Sequence, residues 1–357
     1  MREPSRIELM CLWLLTSIIF VAVILHFESY TSKVDEFGDS AAYMVAAAGI
    51  HAGQIRNIQV KNFWGVSYAT ALLSNLFEGS QRISLLVVCA GSSLAAVLLA
   101  HQLWGGWIAG FFAVLNLGWL QTSHLGGAEP LFMALLLGSL WAARHDRWIW
   151  ATTLASLATV TRPVGVFALV ALGLTLLAKR DYKILALCTG IALGIGALYL
   201  LPFWIYFGGP LYQVHLYKTC DWQSGPPVSW PFYAISRSII HDGMPWTNLL
   251  HTLGWITFVA IGMLAMTREK FRQYFHEHKA EGYFALLYGL FLFTYNSSVW
   301  ARAEFVRFSI PVLPFVLVSL SGWIPRSRAL LYSLGTLSAA LAACSAIGLK
   351  NVFAILR

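Results

Sequence analysis

Long apolar runs recur along this chain and constrain its fold more than any other feature. Ile7–Phe27 is the first, and others follow near 83–101, 103–121, 129–143, 148–161, 163–178, 184–206, 247–266, 284–298, 309–324 and 329–349. Runs of about 17–25 apolar residues can cross the hydrocarbon core as helices. Helices are required there because each backbone amide must be satisfied within its own segment. Only 11% of the residues are charged and 58% are hydrophobic, where soluble domains carry roughly 25% charged residues. The sequence therefore predicts an all-α polytopic membrane protein. It would have about eleven transmembrane helices and form one lipid-embedded domain over residues 1–357.

Charge sets the expected orientation. Arg2 and Arg6 precede the first run, and His-Phe-Glu-Ser-Tyr follows it where a signal peptide would carry a small-x-small cleavage site. An uncleaved first span with a cytoplasmic N-terminus is expected. The short loops Arg144–Arg147, Lys179–Lys183, Arg268–Lys279 and Pro325–Arg328 are basic, as cytoplasmic loops are. The opposite face then receives residues 28–82, 207–246 and 297–308, and the C-terminus falls on that side too. Membrane orientation accounts for the net charge of +8 better than nucleic-acid binding does. Cys11, Cys89, Cys188 and Cys344 lie in apolar runs and Cys220 stands alone in an outer segment, which argues against a disulfide framework.

The outer segments hold most of the polar residues that could do chemistry. Residues 34–50 and 63–77 read as amphipathic helices, and 207–246 is rich in aromatics and proline, as suits a lipid–water boundary. On one helix over 34–50, Asp35, Asp39 and Tyr43 align at i, i+4 and i+8 with Glu36 beside them. Val34, Phe37, Ala41, Met44, Val45 and Ala48 then form the apolar face. Neighbouring carboxylates raise one another's pKa and suit general-base work or metal ligation. Asp39 ahead of Ser-Ala-Ala equally suits a helix cap.

Arg162, Arg302 and Arg307 end spans on the same face, with Glu304 between the last two. A guanidinium there can hold a phosphate through its planar fork, or simply snorkel to the interface. His124 and Glu129 meet this face as well, and Glu129 also fits a helix N-terminus. His276-Glu-His278 lacks the i, i+4 spacing of a zinc helix and reads as a solvated loop. The chain carries neither a phosphate-cradling Gly-rich Lys-Ser/Thr loop nor a dinucleotide fingerprint, which argues against a nucleotide-sugar donor.

Five fragments, in order, resemble GT-C glycosyltransferases, the multi-span enzymes that take sugar from a polyprenyl-phosphate carrier. They are Gly38-Asp-Ser-Ala-Ala-Tyr43, the run Leu115 to Phe132 ending in Glu-Pro-Leu-Phe, Thr161-Arg-Pro163, Phe207-Gly-Gly-Pro-Leu211, and Arg307-Phe-Ser-Ile-Pro-Val-Leu-Pro314. The fourth, with the Trp/Pro-rich stretch after it, is similar to the mannosyltransferase-like branch.

The resemblance implies a GT-C-like helix bundle with amphipathic helices in its outer loops and a periplasmic or lumenal active site, in a bacterial inner membrane or the endoplasmic reticulum. It implies that a first-loop acid activates the acceptor or holds a divalent cation, Mg²⁺ or Mn²⁺. That role falls to Asp39, with Asp35 and Glu36 as alternates. The expected substrate-binding residues are Tyr43, His124, Glu129, Arg162, Arg302, Glu304 and Arg307. The partners implied are a polyprenyl-phosphate-linked sugar, membrane lipids and a glycan, lipid or protein acceptor. A lipid-linked-sugar transporter or flippase, and a noncatalytic membrane subunit, are the competing readings.

Overall fold

The computed structural model describes residues 3–55, 62–219, 228–241, 246–296 and 304–348. It is about 81% helical, and among the described residues it holds no strand, only an isolated bridge between Val228 and Tyr295. In chain order the first helices are α1 (Arg6–Phe27), α2 (Tyr30–Glu36), α3 (Ser40–His51), α4 (Gly65–Ser74), α5 (Gln81–Trp104), α6 (Gly106–Leu115), α7 (Leu117–Leu125) and α8 (Glu129–Arg144). There follow α9 (Trp148–Thr161), α10 (Val166–Lys179), α11 (Tyr182–Phe207), α12 (Tyr212–Thr219), α13 (Tyr233–His241) and α14 (Trp246–Ala265). The last are α15 (Glu269–Glu277), α16 (Lys279–Thr294), α17 (Phe305–Phe308), α18 (Leu313–Ser319) and α19 (Arg328–Ala346). Among the described residues α1, α5, α11 and α19 are long and apolar enough to span a bilayer, and α7 with α8 makes a broken fifth, bent by 107°.

The chain divides into two compact units. The first comprises the described parts of Met1–Leu137, Val160–Arg162 and Ile324–Arg357. Its helix α1 starts with a reciprocal cap, Ser5 accepting from the Glu8 amide while Glu8 accepts from the Ser5 amide. Leu9, Leu12, Thr16, Phe20 and Ile24 recur every three or four residues and are buried, which makes one face of α1 the protein side. That face meets α6 and α19 where glycines permit close approach. A Cβ on Gly110 would stand 2.8 Å from Leu331, and one on Gly335 3.0 Å from Leu12. Arg328 and Glu8 pair at 2.8 Å at the end of this seam.

The second unit comprises the described parts of Gly138–Thr159 and Pro163–Trp323. An aromatic cluster forms its centre. Phe167 lies 4.9 Å from Phe291, Phe284 lies 5.7 Å from Phe315, and the Tyr288 hydroxyl donates to the Phe308 carbonyl at 2.7 Å. Arg144, Glu281 and Tyr274 form a polar knot within it. Arg144, at the end of the basic loop segment, is thus also held by a partner, Glu281, that is only 1% exposed.

Three predicted helices are broken. The run 34–50 splits into α2 and α3 around Phe37–Asp39, where Gly38 adopts φ +41°, a left-handed conformation that interrupts a helix. Asp35, Asp39 and Tyr43 therefore do not form one continuous stripe. The run 103–121 breaks at Asn116, whose extended backbone and side chain start α7 by accepting the Trp119 amide at 2.9 Å. The run 309–324 narrows to α18 flanked by turns. Asn116 and Gly38 carried this signal in the sequence; apolar periodicity masked it.

Candidate active site

A break between α7 and α8 organises the polar residues of the first unit. Gly126 ends α7 at φ +97°, and its neighbour Gly127 is equally constrained, because a Cβ there would stand 2.8 Å from the Glu129 carboxylate. Two groups from the α2–α3 region fasten onto this break. The Tyr30 hydroxyl donates to the His124 carbonyl. Ser40 Oγ lies 2.8 Å from the Leu125 carbonyl and 2.6 Å from that of Gly126. These contacts satisfy carbonyls that the end of α7 would otherwise leave without partners. Burial pushes the Tyr30 phenol up to about 12, so it stays protonated as the donor.

Glu129 opens α8 and is fully buried. Its carboxylate receives the Arg162 guanidinium, and Arg162 is itself only 9% exposed. The pair joins residues 33 apart in sequence. Arg162 is placed by the end of α9 at Thr161, where Pro163 stops the helix. The N-terminus of α4 abuts the same turn, since a Cβ on Gly65 would lie 2.6 Å from Thr161 Cα. A buried pair of this kind is held against a large desolvation cost, and it places a fixed dipole in an apolar setting.

Asp39 immediately precedes Ser40 and occupies the N-cap position of α3, yet its side chain makes no capping hydrogen bond. The capping position is thus correct and the capping bond absent. Ser40, Tyr43, Ala46 and Ala47 form the buried face of α3, while Ala41, Val45 and Ala48 are exposed. Tyr43 thus departs from the polar stripe expected from the sequence, whereas the exposed Ala41, Val45 and Ala48 are compatible with the expected apolar face toward the membrane. Tyr43 packs instead with Val66, Leu85, Cys89 and Ala128.

The other predicted site residues are distributed differently. Asp35 is half exposed and held by Arg82 at 3.0 and 2.5 Å. Glu36 pairs with Lys33 at 2.9 Å, and Lys33 also reaches Glu28. His124 is buried among Trp13 and Phe20, with Nε2 3.4 Å from Ser17 Oγ, so the polar group it presents to Tyr30 is its carbonyl. Glu304 and Arg307, in the second unit, pair at 3.3 Å. Arg302 lies outside the described residues. The sequence reading missed Tyr30 and Ser40, although both are polar residues flanking the acidic cluster. Among the described residues no group of three or more His, Cys, Asp or Glu could hold a metal ion.

No family model and no curated protein matches the chain. Two solved structures do, both of ArnT from Cupriavidus metallidurans. The one bound to undecaprenyl phosphate aligns at a TM-score of 0.52 and 18% identity, covering 88% of this chain and 61% of that one. The apo form aligns at 0.49 and 17%, covering 92% and 74%. This chain thus spans about 61% of the length of the first. The likeness speaks to architecture and gives no support to a mannosyltransferase-like branch. With its long apolar helices, the chain is an integral membrane protein with the GT-C fold.

Proposed function

We propose that this protein is a membrane glycosyltransferase that transfers a sugar from a polyprenyl-phosphate carrier to an acceptor on the noncytoplasmic face. The observation that carries the reading is the convergence at the α7–α8 break. Ser40, next to Asp39, is bonded to that break, and three residues further on stands the buried Glu129–Arg162 pair. The ArnT with the same fold was solved with undecaprenyl phosphate bound, which supports a lipid-phosphate donor.

In this reading Asp39 accepts the acceptor's proton as the nucleophile attacks the anomeric carbon. The carrier phosphate departs with the bonding electrons. Asp39 would also be the ligand if a divalent cation takes part. Arg162 is a phosphate candidate in this reading, its guanidinium set by the pair with Glu129. Arg307 and Arg302 are further phosphate candidates, with Glu304 holding Arg307. Tyr43, Glu129 and His124 would support the site from behind, Tyr43 through its packing on α3 and His124 through its backbone bond to Tyr30.

The test is transfer from labelled polyprenyl-phosphate sugars by the purified protein, with acceptor fractions from membranes. Transfer to an acceptor supports the reading, and release of free sugar alone replaces it with hydrolysis. The 107° break between α7 and α8 also favours a transporter reading, because broken helices often carry transport sites. Movement of labelled donor across proteoliposomes without any transfer would select that reading.

A further inference from the structure

In the second unit, the nine-residue helix α15 links the apolar helix α14 to α16. Its apolar side chains recur as Phe271, Tyr274 and Phe275, whereas Arg272, Gln273, His276 and Glu277 are exposed. Such one-sided short helices between spans suit the plane of the membrane interface. Beneath α15 lies a partly open cavity of about 570 Å³, its apolar wall made by Met263, Met266, Phe271, Phe275 and Leu286 and its polar rim by Thr267, Glu269, Arg272, Gln273 and His276, where Arg272 and Glu269 form a loose, solvent-exposed pair at 3.6 Å. The Phe275 ring rests directly on Gly282, where a Cβ would fall 1.8 Å from it.

The cavity is held open rather than free to collapse. Arg144 Nη2 donates to the Tyr274 hydroxyl at 2.7 Å and to Glu281 Oε2 at 3.0 Å, and that hydroxyl donates to Glu281. This buried knot ties α15 to α8 and α16. The inner wall of the cavity is apolar, and covering it with apolar material removes that surface from water. At a bilayer the apolar material at hand is the acyl chain. The segment Arg268–Lys279 also carries four basic residues, Arg268, Lys270, Arg272 and Lys279, against Glu269 and Glu277. Basic residues at the interface attract anionic headgroups.

We propose that α15 and the cavity beneath it form a binding site for an anionic phospholipid, its acyl chain between Met266, Phe275 and Leu286 and its headgroup at Arg272. The inference does not depend on the transferase reading. Its test is photolabelling of the full chain in nanodiscs. Phosphatidylglycerol and phosphatidylcholine, each with a diazirine in the acyl chain, would be compared by mapping the adducts on peptides.

With phosphatidylglycerol, adducts within 263–286 should exceed several-fold those on α11, a helix that is almost wholly unburied and reports general lipid contact. Met266→Trp, which fills the cavity, should remove that excess while leaving α11 labelling unchanged. Arg272→Glu, a surface change, should abolish the preference for phosphatidylglycerol over phosphatidylcholine. Equal labelling of 263–286 and α11 in the wild type would overturn the proposal. So would an excess that survives Met266→Trp, an unchanged lipid preference in Arg272→Glu, or adduct formation that is prevented by unlabelled polyprenyl phosphate but not by unlabelled phosphatidylglycerol present before irradiation.

Discussion

Single residues decide most of the chemistry, and they were unequally legible. Asp39 stood out because acids beside apolar spans are rare and tend to be functional, but periodicity gave it the wrong neighbours. The structure replaces Asp35 and an aligned Tyr43 with Ser40 bonded to the α7–α8 break. Asp39→Asn, which keeps the size of the side chain, should lower transfer by about 10²–10⁴-fold, the usual loss for a positioned base, in a protein that still folds. Turnover assays beside thermal unfolding in the same detergent check this, and wild-type turnover would remove Asp39 from the proton-transfer role.

Glu129 and Arg162 were each visible as polar residues at span ends; their pairing, 33 residues apart, was not, because it depends on how helices are brought together. Glu129→Ala should cost about 3–5 kcal/mol of stability by stranding a buried guanidinium. Adding Arg162→Met should restore much of that loss, yet restore no activity if the pair serves the site. A single variant as stable as the wild type would show that the charge is not stranded.

At the scale of elements, the sequence located most helices and misjudged where they stop. Apolar composition specifies burial in lipid but says little about continuity, since a helix broken in two retains the same hydrophobic residues. The breaks come instead from isolated backbone signals. Gly38 and Gly126 take positive φ, and Asn116 turns the chain out of α6 and caps α7. On α3 it was Tyr43 that periodicity misplaced: it is buried where a polar stripe was expected. Small residues such as Ala46 and Ala47 pack closely against protein, while Val45 can remain exposed where lipid or interface surrounds it. Asn116→Ala should remove the bond to the Trp119 amide and destabilise the protein by about 1 kcal/mol, with Asn116→Ser, which keeps a neutral acceptor, recovering part of it. Chemical denaturation of the two variants distinguishes a cap from simple packing: an equal or larger loss for Asn116→Ser would mean that Asn116 acts through its volume.

At the scale of the whole molecule, the all-helical membrane architecture was legible from apolar run length, and the GT-C resemblance from five dispersed fragments agrees with the fold that the solved ArnT shares. What composition hid is that charges are buried among the spans. Glu129 with Arg162 and Arg144 with Glu281 are sequestered inside an apolar chain, where only paired charges are tolerable. Orientation still rests on the basic short loops, and it makes a definite prediction: residues 28–82 and 207–246 lie on the same, noncytoplasmic side. Asn75 and Trp230 are exposed positions in these two segments. In a cysteine-free background, Asn75→Cys and Trp230→Cys should both react with an impermeant maleimide in spheroplasts, and a cysteine at Arg272 should react only after lysis. Because every label is repeated on lysed membranes, a buried thiol cannot pass for a cytoplasmic one. Labelling of only one of Asn75→Cys and Trp230→Cys in intact spheroplasts would separate the acidic loop from the aromatic loop across the bilayer. A transferase that draws on both loops for one reaction would then be ruled out, whatever the activity of Asp39.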